Sequence, residues 1–107
     1  PYKEKIMTLA KLAKITEGLR ESVGDDCGLD ATIKFDFGED GIVCIDATQT
    51  PNVVSNDDNE AQCTLKLNMS NFVELSKGRL NSVNAVMTGR LKIVGDMSLA
   101  KRLNKIF

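Results

Sequence analysis

Hydrophobic positions along the chain change their period several times, and each change marks an element. Over residues 2–22 apolar side chains recur three and four apart, at Ile6, Leu9, Ala10, Leu12, Ala13, Ile15 and Leu19. Lys3, Lys11, Lys14 and Glu21 lie largely outside that face, so the pattern predicts one long amphipathic helix, stopped by Gly24. Period two follows: Ala31, Ile33, Phe35 and Phe37 point one way, Thr32, Lys34 and Asp36 the other. Gly38-Glu39-Asp40-Gly41 has turn chemistry, which predicts a hairpin returning over residues 42–47. A short strand is expected at Val53-Val54, and another with Cys63, Leu65 and Leu67 inward. These four strands are expected to be of antiparallel type.

The second half turns helical. Ser70 or Asn71 is the expected cap of a short helix carrying Phe72, Val73 and Leu75, with Glu74 completing a capping box. Gly78 ends it, and Asn81 or Ser82 opens another with Val83, Val86 and Met87 inward, ended by Gly89. Leu91-Lys92-Ile93-Val94 is the last strand. Gly95-Asp96 then turns into a final helix with Leu99, Ala100, Leu103, Ile106 and Phe107 on one face. The expected class is α+β: a five-stranded, mostly antiparallel sheet with helices covering one face, as one domain over residues 1–107.

Composition narrows the chemistry rather than the fold. At 107 residues and 42% hydrophobic, the chain has ordinary globular composition and can bury a core without staples. Its net charge of −1 hides a strong asymmetry. Residues 1–14 carry +3, residues 15–75 carry −10 and residues 76–107 carry +6. Duplex binding calls for a basic domain or stripe, and single-strand binding for stacking aromatics, so with 5% aromatic residues and no Trp no nucleic-acid partner is expected.

The apolar runs are far shorter than a bilayer span, no secretory h-region opens the chain, and no Ser-Lys-Leu-type tripeptide closes it. The expected compartment is the cytoplasm. Cys27, Cys44 and Cys63 cannot all pair and form no Cys-x-x-Cys, which points to reduced, structural thiols.

Several short motifs have plain structural explanations. Asp36-Phe37-Gly38 spells the kinase metal triplet, but here it is a strand entering a turn. The acid-rich loops around Asp25-Asp26 and Asp57-Asp58 lack calcium-loop spacing. Asn68-Met69-Ser70 matches a glycosylation sequon that a cytoplasmic chain would not use. With no histidine anywhere, the commonest general base and metal ligand is missing, and no phosphate loop occurs. Neither an enzyme nor any cofactor or metal is expected.

The residues from Ala61 onward carry a family resemblance. Ala61-Gln62-Cys63-Thr64-Leu65-Lys66-Leu67, then Asn71-Phe72-Val73-Glu74-Leu75, then Gly78-Arg79-Leu80-Asn81 resemble the sterol carrier protein family of non-specific lipid-transfer domains. The run Gly89-Arg90-Leu91-Lys92-Ile93-Val94-Gly95-Asp96-Met97-Ser98-Leu99-Ala100 resembles that family's most characteristic stretch, a strand, a glycine turn and a final helix. The resemblance is strong over residues 61–103 and extends to the layout of the first sixty. It implies a hydrophobic tunnel between sheet and helices that takes fatty acid, fatty acyl-CoA, phospholipid or sterol-like ligands. The bulky pair of the family's penultimate helix corresponds to Val86-Met87, smaller and more flexible.

The cavity walls expected from this are Ile33, Phe35, Val43, Ile45, Leu65, Leu67, Phe72, Leu75, Val86, Met87, Ile93, Met97, Leu99 and Leu103. By the same resemblance Arg20 is the candidate for a ligand head group. Lys101, Arg102 and Lys105 on the basic last helix are candidates for transient contact with anionic membrane. The expected function is non-specific lipid binding or transfer. The alternative is an accessory module that presents a hydrophobic intermediate, such as an isoprenoid quinone precursor, to biosynthetic enzymes. The sequence sets no oligomeric state.

Overall fold

A computed structural model describes residues 2–25 and 28–102. Among these residues five strands form one sheet: β1 (Thr32–Asp36), β2 (Ile42–Asp46), β3 (Val53–Ser55), β4 (Cys63–Lys66) and β5 (Lys92–Gly95). Four helices accompany them: α1 (Tyr2–Val23), α2 (Met69–Ser76), α3 (Ser82–Met87) and α4 (Met97–Ala100). The strand order is β3-β2-β1-β4-β5. Three of the pairings are antiparallel, and the central one, β1 with β4, is parallel. The expectation of antiparallel type for β4 is corrected there. A parallel neighbour needs a long crossover, and the chain from β2 through β3 supplies it.

Alternation sorts the sheet into two faces. Ile33 stands beside Ile45 and Cys63, and Phe35 beside Val43 and Leu65, so one face is a continuous apolar floor. All six are buried. Leu19 and Val23 of α1 and Met69 and Phe72 of α2 close over that floor. The other face carries the half-buried Thr32, Lys34, Asp36 and Thr64 and the exposed Lys66 around a buried Cys44, a polar face that is only partly solvated. Asp36 Oδ1 accepts from the Gly38 amide at 2.8 Å and Phe37 joins the core, so the kinase-like triplet is indeed a strand entering a turn.

The helices depart from the sequence reading in three places. The cap of α2 is Asn68, whose side chain accepts from the Asn71 amide at 2.7 Å; Glu74 instead pairs with Arg79. In α3 the inward residue is Ala85, while Val83 and Met87 are 64% and 79% exposed and Val86 is exposed too. At 100° per residue those three share the face opposite Ala85, and a small residue lets the short helix lie close to the core. In α1, Ile6, Met7 and Leu9 are exposed and burial is concentrated at Thr16, Leu19 and Val23. A helix of 22 residues spans about 33 Å, roughly twice the length of a five-residue strand, so its first half overruns the sheet. Asn81 caps α3 and Asp96 caps α4, each accepting from the amide two residues on. The expected extension of the last helix through Leu103, Ile106 and Phe107 lies outside the described residues.

Gly95 shows why the strand-to-helix turn demands glycine. Its φ is +103°, and an added Cβ would sit 2.4 Å from the Gln62 carbonyl oxygen, which itself accepts the Asp96 amide at 2.8 Å. That oxygen is backbone of the residue that leads into β4, held by the hydrogen bond from the Gln62 amide to Thr32 Oγ1, and it has little room to move aside. Gly95→Ala should therefore destabilise the fold by about 3 kcal/mol, through backbone strain and overlap together. Gly78→Ala, where φ is +74° but space is open, should cost only about 1–2 kcal/mol. Urea unfolding midpoints at unchanged slope measure both.

Candidate functional site

Hydrogen bonds tie helix α1 to the sheet along one side. Asn56 Nδ2 donates to Thr16 Oγ1 and to the Ile42 carbonyl, both at 3.0 Å. Arg20 Nη2 donates to the Val54 carbonyl at 3.1 Å, and Asn52 Nδ2 to the Val23 carbonyl at 3.2 Å. All three ties run to β3 or the residues flanking it. The other side of α1 faces α2 across a cleft of about 610 Å³.

Helix α2 is held at its own distance by an aromatic cluster. The Phe72 ring stands edge-on to Phe35, with centroids 5.2 Å apart, and to Phe37 at 5.5 Å. From α2 the cleft receives Met69, Phe72 and Val73; from α1 it receives Ile15 and Leu19. Lys11, Lys14, Gly18 and Ser22 of α1, with Ser70, Glu74, Ser76 and Lys77, complete its lining. The floor is apolar and the edges are polar, and the volume falls within the range of small-molecule sites.

Gly18 is what keeps one wall thin. It sits in the interior of α1, yet a Cβ placed there would meet nothing within 4 Å. Glycine in a helix interior costs about 1 kcal/mol relative to alanine, with no close packing here to require it. The charges at the edges are unequal. Glu74, the one acid among the described lining residues, accepts from Arg79 through both oxygens, Nε at 3.0 Å and Nη2 at 2.9 Å. That guanidinium holds its carboxyl below the usual carboxylate range. Lys11, Lys14 and Lys77 form no ion pair among the described residues.

Of the residues expected from sequence to line a cavity, Phe72 borders this cleft. Ile33, Phe35, Val43, Ile45, Leu65 and Leu99 are packed into the closed core, and Leu75 and Ile93 pack partly buried against it. Leu67 borders a second, smaller recess of about 410 Å³ beside Phe37 and Lys66. Val86, Met87 and Met97 are exposed, and Leu103 lies outside the described residues. Arg20 sits on the fastened side of α1, paired with Glu17, and does not border the cleft. Lys101 is exposed, Arg102 donates to the Gly28 carbonyl at 3.2 Å, and Lys105 lies outside the described residues.

The sequence reading places Lys11 and Lys14 outside the apolar face of α1 and gives Gly18 and Ser22 no role. Their spacing of three and four residues was the available signal: a helix stripe that runs from basic to small.

Cys44 and Cys63 are buried on opposite faces of the sheet, and desolvation pushes both thiols up, which keeps them protonated and unreactive. Cys27 lies outside the described residues. Among the described residues no group of three or more Cys, Asp or Glu side chains is placed to hold a metal ion, and no helix is long and apolar enough to cross a membrane.

One sheet face covered by helices, with an open cleft edged with lysines between two of them, defines a small α+β domain. The chain belongs to the SCP-2 sterol transfer family, whose model matches residues 7–107. It is 39% identical to human sterol carrier protein 2 over 54 residues, which is half of this chain but a tenth of that protein. Its fold is similar to the sterol carrier protein domain of Helicoverpa armigera, at 26% identity and a TM-score of 0.68, covering 88% of this chain and 83% of the other. It is also similar to the Aedes aegypti sterol carrier protein 2 solved with the C16 fatty acid palmitate, at 20% identity and a TM-score of 0.61, covering 87% and 86%.

The open space at Gly18 makes a stability prediction. Gly18→Ala should raise stability by about 0.5–1 kcal/mol and Tm by several degrees, because helix propensity improves and nothing is displaced. Calorimetry of the purified variant measures this.

Proposed function

We propose that this chain binds a single-tailed lipid in the cleft between α1 and α2 and carries it between apolar surfaces without changing it chemically. The observation that carries this reading is the cleft itself. Ile15, Leu19, Met69, Phe72 and Val73 turn apolar surface into about 610 Å³ of open space, and Gly18 adds no side chain to fill it. Family membership supports the same reading, as does the palmitate bound by the Aedes aegypti relative.

The energetics suit a hydrocarbon tail. Each methylene moved out of water gains about 0.8 kcal/mol, so a sixteen-carbon chain supplies on the order of 10 kcal/mol gross. Lost translational freedom and chain ordering offset much of that, leaving an affinity suited to pick-up and release. Aliphatic and aromatic walls recognise hydrocarbon by area rather than by pattern, so selectivity among tails is low. The presenting-module alternative would use the same cleft and differs in where the lipid goes next.

Delipidated protein should take up palmitate at one equivalent in isothermal titration. Gly18→Phe should weaken that uptake at least tenfold while leaving the urea midpoint undiminished, since the new ring enters the cleft rather than the core. No uptake by the unmodified chain, or full affinity in the Gly18→Phe variant, would overturn the assignment. Transfer between vesicles at a rate proportional to protein concentration favours the carrier over the presenting module.

A further inference from the structure

The polar face of the sheet, turned away from the cleft, carries a closure of its own. Lys34 of β1 and Cys44 of β2 are cross-strand neighbours near the middle of that face. Water reaches neither freely: the Lys34 side chain is 14% exposed and Cys44 is buried. The connection from β3 to β4 lies over them. Lys34 Nζ donates to Asp58 Oδ1 at 2.6 Å, and the backbone amide of Asn59 is directed at the Cys44 sulfur.

The same short segment reaches helix α1. Asn56, two residues before Asp58, donates to Thr16 Oγ1 and to the Ile42 carbonyl, both at 3.0 Å. Thr16 is buried and sits between Ile15 and Gly18, both of which line the cleft. Among the described residues this tie is the one nearest the middle of α1; those of Arg20 and of Asn52 to Val23 lie in its last turn. Four residues, 56–59, thus join one face of the sheet to the helix that walls the cleft over the other. Their hold on the sheet is light. Asp58 is 70% exposed, and an ion pair open to water on one side contributes little. Asp36, the other acid on the same face of β1, already accepts from the Gly38 amide.

We propose that residues 56–59 are a latch that governs lipid exchange: the Lys34–Asp58 pair closes the segment on the sheet, and Asn56 passes that closure to α1. This rests on the reading that the cleft holds a lipid tail. With the pair formed, Asn56 stays where it reaches both Thr16 and Ile42, and α1 keeps its distance from α2. With the pair broken, the segment lifts and α1 loses its midpoint tie, keeping those of Arg20 and Asn52. Lipid then enters and leaves faster, while the apolar floor that sets affinity is unchanged. Asn56 and Asp58 are positioning residues, acting on the lipid only through α1.

Cys44 lies under the segment and reports its opening without any lipid. N-ethylmaleimide labelling, assigned by peptide mass mapping so that Cys27 and Cys63 are read separately, should be about fivefold faster in Asp58→Asn at an undiminished urea midpoint. Asp58→Glu, which keeps the pair, should label like the unmodified chain. Raising salt should speed labelling in the unmodified chain and leave Asp58→Asn unchanged. Palmitate release to excess albumin should quicken about threefold in both Asp58→Asn and Asn56→Ala, with equilibrium affinity moved less than the rate. Equal Cys44 labelling in Asp58→Asn and the unmodified chain overturns the latch. Faster labelling with unchanged palmitate release overturns its control of the cleft and leaves the lipid assignment standing. No palmitate uptake by the unmodified chain overturns both, whatever the labelling shows.

Discussion

The placement of Phe72 against Phe35 and Phe37 is the constraint on which the rest of the molecule depends. Two edge-on contacts at 5.2 and 5.5 Å fix α2 over β1, the strand at the centre of the sheet. Aromatic pairs of this kind contribute about 0.5–1.5 kcal/mol each beyond the area they bury, and they fix direction as well as distance. Helix α1 is positioned by the buried Leu19 and Val23 together with polar ties from Asn52, Val54 and Asn56 along its far side. The two helices share the apolar floor beneath them, through Leu19 and Val23 on one side and Met69 and Phe72 on the other, but their specific anchors lie on opposite sides of the cleft. The recess between them is a consequence of those two anchors rather than a defect in packing.

That arrangement also explains why the core is closed and the cleft is not. The floor residues of β1, β2 and β4 meet one another at strand spacing and are sealed by Leu19, Val23 and Phe72. Void within such a floor would forfeit dispersion contacts on every side. Between α1 and α2 the open space is bounded by the backbone of a glycine and by flexible lysines, which lose little by standing apart. The energetic cost of an open recess is lowest where its walls are small or hydrated, and this chain places it there.

Much of the fold could be read from the sequence because the readable parts are local. Period-two alternation at Ala31 to Phe37 and the turn at Gly38 to Gly41 specify a hairpin whatever surrounds them, and the helix stop at Gly24 is equally self-contained. What escaped depends on partners distant in sequence. Nothing near Cys63 says that its strand runs parallel to β1. Nothing in Val83, Val86 and Met87 says that the core at that point has room only for Ala85. The extent of burial along α1 is set by the length of the strands beneath it, which the helix's own pattern cannot report. Inward-facing is a property of the local pattern, whereas bordering an opening is a property of the gap between two helices, so the pattern points to the hydrophobic residues of the strands and not to the small and basic residues of α1 that border the cleft.

A recess of this design divides affinity from selectivity between two sets of residues. The apolar floor contributes in proportion to tail area, so it rewards longer chains but distinguishes poorly between ligands of equal length. Discrimination by a few well-placed polar groups requires that those groups go unsatisfied when the wrong ligand binds. Residues that water can satisfy, such as lysines at an open mouth, impose only a mild penalty. In the lipid-binding role proposed for it, such a cleft would accept hydrocarbon broadly and add at most a mild, salt-sensitive bias from the lysines at its edge. Deep burial of a single arginine pair would sharpen that bias, but it would also slow release, because a desolvated charge pair must be broken on every exit. For the carrier role proposed above, hydrated cations at an open edge are the arrangement that leaves release fast.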